Sequence, residues 1–128
     1  MDNSKGDKLM GLDMWLYRKD VDEVAYWRKE NAIHNWFITN YANGVDDCNS
    51  IEIDRIGLIV LRDTCLKVLE ANNAEIAMEL LPPVAGFFFG SDQIDDWYWE
   101  GIKDTADKLT AIIDETSEDQ MFEYQASW

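Results

Sequence analysis

The amino-acid sequence predicts an α+β fold, a small and mainly antiparallel sheet packed against helices. Three observations lead there, the first two being that apolar and polar residues alternate with period 2 near both ends of the chain and that three stretches of helical periodicity lie between. The third is size. With 128 residues, 47% of them hydrophobic and six of them Trp, the chain can bury one core, as a single domain over residues 10–128. Residues 1–9, polar and rich in Lys and Asp, read as a flexible arm ahead of it.

Taken in order, Met10, Leu12, Met14 and Leu16 alternate with Gly11, Asp13, Trp15 and Tyr17, which predicts a strand over 10–17. Asp20 and Glu23 have the spacing of a capping box, and Trp27, Asn31, His34, Ile38 and Tyr41 share one helical face, which predicts a helix over 22–42. Asn43-Gly44 stops it, both residues tolerating the left-handed conformation. Ile51-Glu52-Ile53 is a short strand or a lead-in. Asp54 is the expected N-cap of a second helix, 55–71, whose apolar stripe is Leu58, Leu61, Cys65, Val68 and Leu69. Asn72-Asn73 ends that helix, and a helical turn over 74–81 stops at Pro82-Pro83, since proline lacks the amide donor. Phe87, Phe88 and Phe89 between Gly86 and Gly90 predict a buried strand, and Ser91 or Asp92 would cap a third long helix over 92–115. Ile94, Trp97, Tyr98, Gly101, Ile102, Thr105, Leu109, Ile112 and Ile113 form its stripe. Phe122, Tyr124, Ala126 and Trp128 alternate with Glu123, Gln125 and Ser127, a last strand over 121–128.

Charge excludes several functions. Against 26 Asp and Glu stand 11 Lys and Arg, a net charge of −15. Nucleic-acid affinity is built from cations on phosphates, so direct nucleic-acid binding is not expected, and neither is docking on anionic lipid. The first residues lack the basic and apolar regions of a secretory signal, and no apolar run approaches the roughly 18 residues of a membrane span. A soluble, cytoplasmic protein is the expectation. Cys48 and Cys65 have no CxxC spacing and no neighbouring His, so neither a zinc site nor a disulfide framework is read from them. No motif implies a cofactor or a bound metal. Asp46-Asp47 lacks the alternating acids and distal Glu of a calcium loop.

Two constellations point to binding. From Asp92 to Glu123 there are 11 acids against Lys103 and Lys108. Asp92, Asp95, Asp96, Glu100, Asp104 and Asp107 crowd the third helix. The last four, at 4, 4 and 3 residue steps, form a carboxylate ridge advancing about 6 Å per step, comparable to successive phosphates of a nucleic-acid strand. Such a ridge suits a basic groove, with Trp97 and Trp99 as aromatic anchors beside it. The plainer reading is a solvated face of an acidic protein. The second constellation is Arg28, Asn31 and His34, at i, i+3 and i+6, where a cation, an amide and an imidazole would form a pocket for a nucleotide-like anion. Arg28 would equally serve to neutralise Asp46 or Asp47, and a lone His on an apolar face is commonly a satisfied core residue. An enzyme pairing His34 with Asp46 or Asp47 is a third reading, and it requires a shared cleft.

The stretches Met10-Gly11-Leu12-Asp13-Met14, Tyr26-Trp27-Arg28-Lys29, Asn43-Gly44-Val45-Asp46-Asp47-Cys48, Gly86-Phe87-Phe88-Phe89-Gly90-Ser91 and Tyr124-Gln125-Ala126-Ser127-Trp128 together resemble a family of small bacteriophage and prophage proteins, over most of the chain from Met10 onward. The residues before Met10 depart from members that begin at the Met-Gly-Leu-Asp motif. The resemblance implies a phage context, hence a host bacterial cytoplasm, and brings no activity with it. Charge, aromatic content and resemblance converge on one expectation: a non-catalytic phage protein that binds and inhibits a host nucleic-acid-handling or defence protein with a basic surface, such as a CRISPR effector or a restriction system. The alternative is a binder or sponge for a nucleotide-like small ligand at Arg28 and His34.

Overall fold

The computed structural model describes residues 11–19, 22–84 and 93–128. Four strands, β1 (Asp13–Arg18), β2 (Glu23–Arg28), β3 (Ile51–Asp54) and β4 (Met121–Ser127), form an antiparallel sheet in the order β2-β1-β4-β3. Among the described residues four helices, α1 (Asn31–Tyr41), α2 (Arg55–Ala71), α3 (Ala74–Leu80) and α4 (Asp96–Glu115), complete an α+β fold. No helix among the described residues is long and apolar enough to cross a membrane. The strand expected over 86–90 and the arm expected over 1–9 lie outside the described residues.

Alternation places one face of the sheet in the core. Met14 and Leu16 of β1, Phe122, Tyr124 and Ala126 of β4, and Ile53 of β3 are buried, and they join Leu58, Leu61, Ile102 and Leu109 from the helices in one apolar cluster. The other face of the sheet presents Trp15, Tyr17, Glu123 and Gln125, all half-buried.

The helix expected from residue 22 does not begin until Asn31, because residues 23–28 pair with β1 instead. Met14 lies opposite Trp27 and Leu16 opposite Ala25, with a bulge between Leu16 and Tyr17. Val24, Ala25, Tyr26 and Trp27 alternate exposure as a strand does, Ala25 and Trp27 inward. The Trp27 indole then donates to the buried Thr105 hydroxyl at 2.9 Å, so the ring is fixed from α4. Glu23 is therefore a strand residue and no capping-box member. Lys29, at φ 58°, turns the chain from strand to helix.

The other boundaries follow local chemistry. Asn43 and Gly44 both take positive φ after α1, and the Gly44 amide closes on the Ile38 carbonyl at 3.0 Å. Asp54 caps α2, its Oδ1 accepting from the Gly57 amide at 2.9 Å. Helix α4 starts four residues later than expected, because Asp95 and not Ser91 or Asp92 is its cap, accepting from the Tyr98 amide at 3.1 Å.

Candidate functional site

The outer face of α4 collects the predicted ridge. Asp96, Glu100, Asp104 and Asp107 are all exposed, while Tyr98, Ile102, Thr105, Ala106 and Leu109 of the same helix are buried. Two acids are paired along the helix: Asp107 with Lys103 at 3.1 Å, and Asp104 with Lys108. Exposed pairs of this spacing contribute only about 0.3–0.5 kcal/mol, so they hold the two carboxylates weakly. Asp95 is committed to its capping role, and Asp92 lies outside the described residues. The two aromatic candidates separate. Trp97 is 61% exposed, off the stripe it was expected to join, whereas Trp99 is half-buried, edge-on to Tyr98 and packed against the core.

Beside Trp97 opens a cavity of about 240 Å³, where the turn from β2 into α1 meets the first turn of α4. Lys29, Glu30, Asn31, Gln93, Asp95 and Trp97 are among its lining residues. Glu30 is the one that sequence reasoning missed. It occupies the N-cap position of α1, yet its side chain caps nothing there. It reaches α4 instead, lying over Gly101 so closely that a Cβ on that residue would overlap the carboxylate. Burial, and then the Asp104 carboxylate, push the Glu30 carboxyl up to about 7, with Lys108 pulling the other way. A glycine inside a helix costs about 1 kcal/mol relative to alanine, so Gly101 marks a place where close approach outweighs propensity. That internal glycine was the available signal, although nothing in the sequence connects it to a residue 71 positions earlier.

Among the described residues, no cavity is lined by Arg28, Asn31 and His34 together. Arg28 sits on β2, its guanidinium against Gly11 and paired with Asp13 at 2.8 Å. The expected pairing with Asp46 or Asp47 is thus replaced by a cross-strand one, Asp13 standing opposite Arg28 in the β1–β2 register. Asn31 is buried, and its amide oxygen accepts from the Val84 backbone at 3.1 Å.

His34 does meet Asp46. Its Nε2 lies 2.9 Å from Asp46 Oδ2 and its Nδ1 lies 2.6 Å from the Tyr124 hydroxyl. In the tautomer protonated at Nε2, the ring donates to Asp46 and accepts from Tyr124. The Trp128 indole donates to the other oxygen of Asp46 at 3.1 Å. Carboxylate, imidazole and hydroxyl thus stand in the order of a nucleophilic triad. The hydroxyl, however, belongs to a fully buried tyrosine stacked on Phe37 with ring centroids 4.0 Å apart. Burial first, and then Asp46, hold that hydroxyl well above its ordinary pKa. The cavity beside it is about 10 Å³, the space of a single water. No substrate fits there. The network ties the 43–48 loop and the last residue to α1 and β4. Asp47 is engaged locally, accepting from the backbone and side chain of Asn49 at 3.2 and 2.9 Å. Cys65 is buried, with its thiol pushed up to about 12 by burial, which suits packing and not reactivity.

Comparison of the chain with protein-family models, with curated proteins and with solved structures finds no match.

Proposed function

We propose that this chain is a non-catalytic, phage-encoded acidic protein that occupies and blocks a basic surface of a host nucleic-acid-handling or defence protein. The observation that carries this reading is the two-sided character of α4: one face is sunk in the core, while the other presents Asp96, Glu100, Asp104 and Asp107 beside an exposed Trp97. A ridge of carboxylates rising about 6 Å per step follows the charge spacing of a nucleic-acid backbone, and the field of a −15 chain accelerates encounter with a cationic groove. Trp97 supplies the short-range contact of the kind that dominates interface energetics. The phage origin rests on the motif resemblance alone.

The test is capture by the tagged protein from lysate of a phage-susceptible host, with every recovered protein identified. The wild type should retain a basic nucleic-acid-binding or defence protein at low salt and release it near 1 M, where the Debye length is about 3 Å. The triple variant Asp96→Lys, Glu100→Lys, Asp104→Lys should keep its circular dichroism and lose that protein. Equal recovery by the triple variant overturns the proposal.

A further inference from the structure

We infer that the cavity bounded by Glu30, Asp95 and Trp97 receives an arginine side chain of the basic partner. The inference rests on the reading of α4 as a docking face for a basic protein and names what that partner must present there.

Size and chemistry both select this occupant. At about 240 Å³ the cavity is smaller than the roughly 300–1,000 Å³ of clefts that hold whole small-molecule ligands, so a side chain fits it better than a nucleotide. Its lining carries Glu30 and Asp95 against Lys29, and the exposed acids of α4 continue from it, an excess of acid that favours a cation over phosphate once Glu30 is ionised. A guanidinium offers a planar fork of donors to a carboxylate and a flat face to an indole, which an ammonium does not. Trp97, a lining residue that is 61% exposed, provides that indole. The Glu30 carboxylate makes no capping bond to its own helix and occupies space over α4 that a side chain at position 101 would fill.

The charged groups acting on Glu30 are Asp104 and Lys108 from α4, and Lys29 and Asp95 line the cavity with it. Lys108 acts on Glu30 while itself paired to Asp104 and lying 5.6 Å from the centre of the Trp27 ring. With its carboxyl pushed up to about 7, Glu30 goes from about nine-tenths ionised at pH 8 to about one-tenth at pH 6, so capture of a cation should weaken about tenfold over that interval.

The experiment titrates the full chain with N-acetyl-arginine amide and with the uncharged N-acetyl-norleucine amide, following the Trp97 indole resonance, which Trp97→Phe assigns. The arginine probe should shift it saturably at pH 8 and about tenfold more weakly at pH 6, and Glu30→Gln should weaken binding about tenfold and remove the pH dependence. The pH comparison needs no variant and stands even if Glu30→Gln folds poorly. An equal response to norleucine, or arginine binding that ignores pH in the wild type, overturns the inference. A peptide with one arginine among lysines should bind tighter than the single-residue probe, by an increment that the triple variant of α4 loses; equal affinity overturns assignment to a protein side chain. Saturable arginine binding with unchanged lysate capture by the triple variant would keep the cavity and discard the docking face. The reverse result would discard the cavity alone.

Discussion

Helices α2 and α4 pack against each other over the same sheet, yet their outer faces differ in kind. Each buries a stripe of comparable character, Leu58, Leu61, Cys65 and Val68 in α2, and Ile102, Ala106, Leu109 and Ile113 in α4. Outward, α2 shows Ile56, Val60 and Leu66, with Ile56 67% exposed, and its charges are nearly balanced, Arg55, Arg62 and Lys67 against Asp63 and Glu70. Helix α4 sets six acids against Lys103 and Lys108. The core demands only the inner stripe, so the outer faces are free to diverge, and the concentration of acid on one of them is not required by the packing. Both helices also hold a buried glycine under a polar group: Gly57 beneath the Tyr41 hydroxyl and Gly101 beneath the Glu30 carboxylate. The first hydroxyl is bonded to Asp54 at 2.7 Å within the α2 cap, whereas the second group belongs to a residue that lines a cavity.

The inner faces should respond alike. Leu61→Ala and Leu109→Ala are each expected to cost about 2–5 kcal/mol in urea unfolding, since both side chains are fully buried. A large asymmetry between the two would break the equivalence of the helices. Next in size, Gly101→Ala should destabilise by about 2 kcal/mol despite the better helix propensity of alanine, because the new Cβ displaces Glu30. In a Glu30→Ala background the same change should become stabilising, by about 1 kcal/mol, and a double-mutant cycle reads that reversal.

A smaller effect concerns pH. The native chain holds the Glu30 proton up to about 7 against an ordinary 4.5, so the stability this carboxyl contributes is complete below about pH 4.5 and is lost as the pH rises through about 7. Relative to Glu30→Gln, the wild type should lose roughly 1 kcal/mol over that window after allowing for solvent screening, measured as the difference between the two stability curves. The smallest effect is expected on the outer face of α2, where Ile56→Lys and Val60→Lys should each stay within about 0.5 kcal/mol of wild type. A larger loss would mean that this face is not simply solvated.

Local periodicity made β1, β4, α2 and most of α4 legible, because each presents an apolar face that only one period satisfies. It failed at residues 23–28. Trp27 fits the comb of Asn31, His34, Ile38 and Tyr41 as well as it fits a strand, and pairing with β1, which no local pattern encodes, settles the matter. The proposed site was half legible: the acids of α4 could be placed by spacing, whereas the exposure of Trp97 and the burial of Trp99 could not. Glu30 escaped notice because a single carboxylate acquires its character from Gly101 and Asp104, which the fold brings to it.

By itself the sequence determined the net charge of −15, the inward faces of the long elements and the stops and caps at Asn43-Gly44 and Asp54, since these depend on composition or on residues a few positions apart. Only the tertiary structure decided the strand order β2-β1-β4-β3, the meeting of His34 with Asp46 and Tyr124, and the cavity between Glu30 and Trp97. Those features join residues as far as 114 positions apart, the separation of Asp13 in β1 from Ser127 opposite it in β4, and a contact at long range becomes favourable only once packing of the whole core has met the entropy of bringing the segments together.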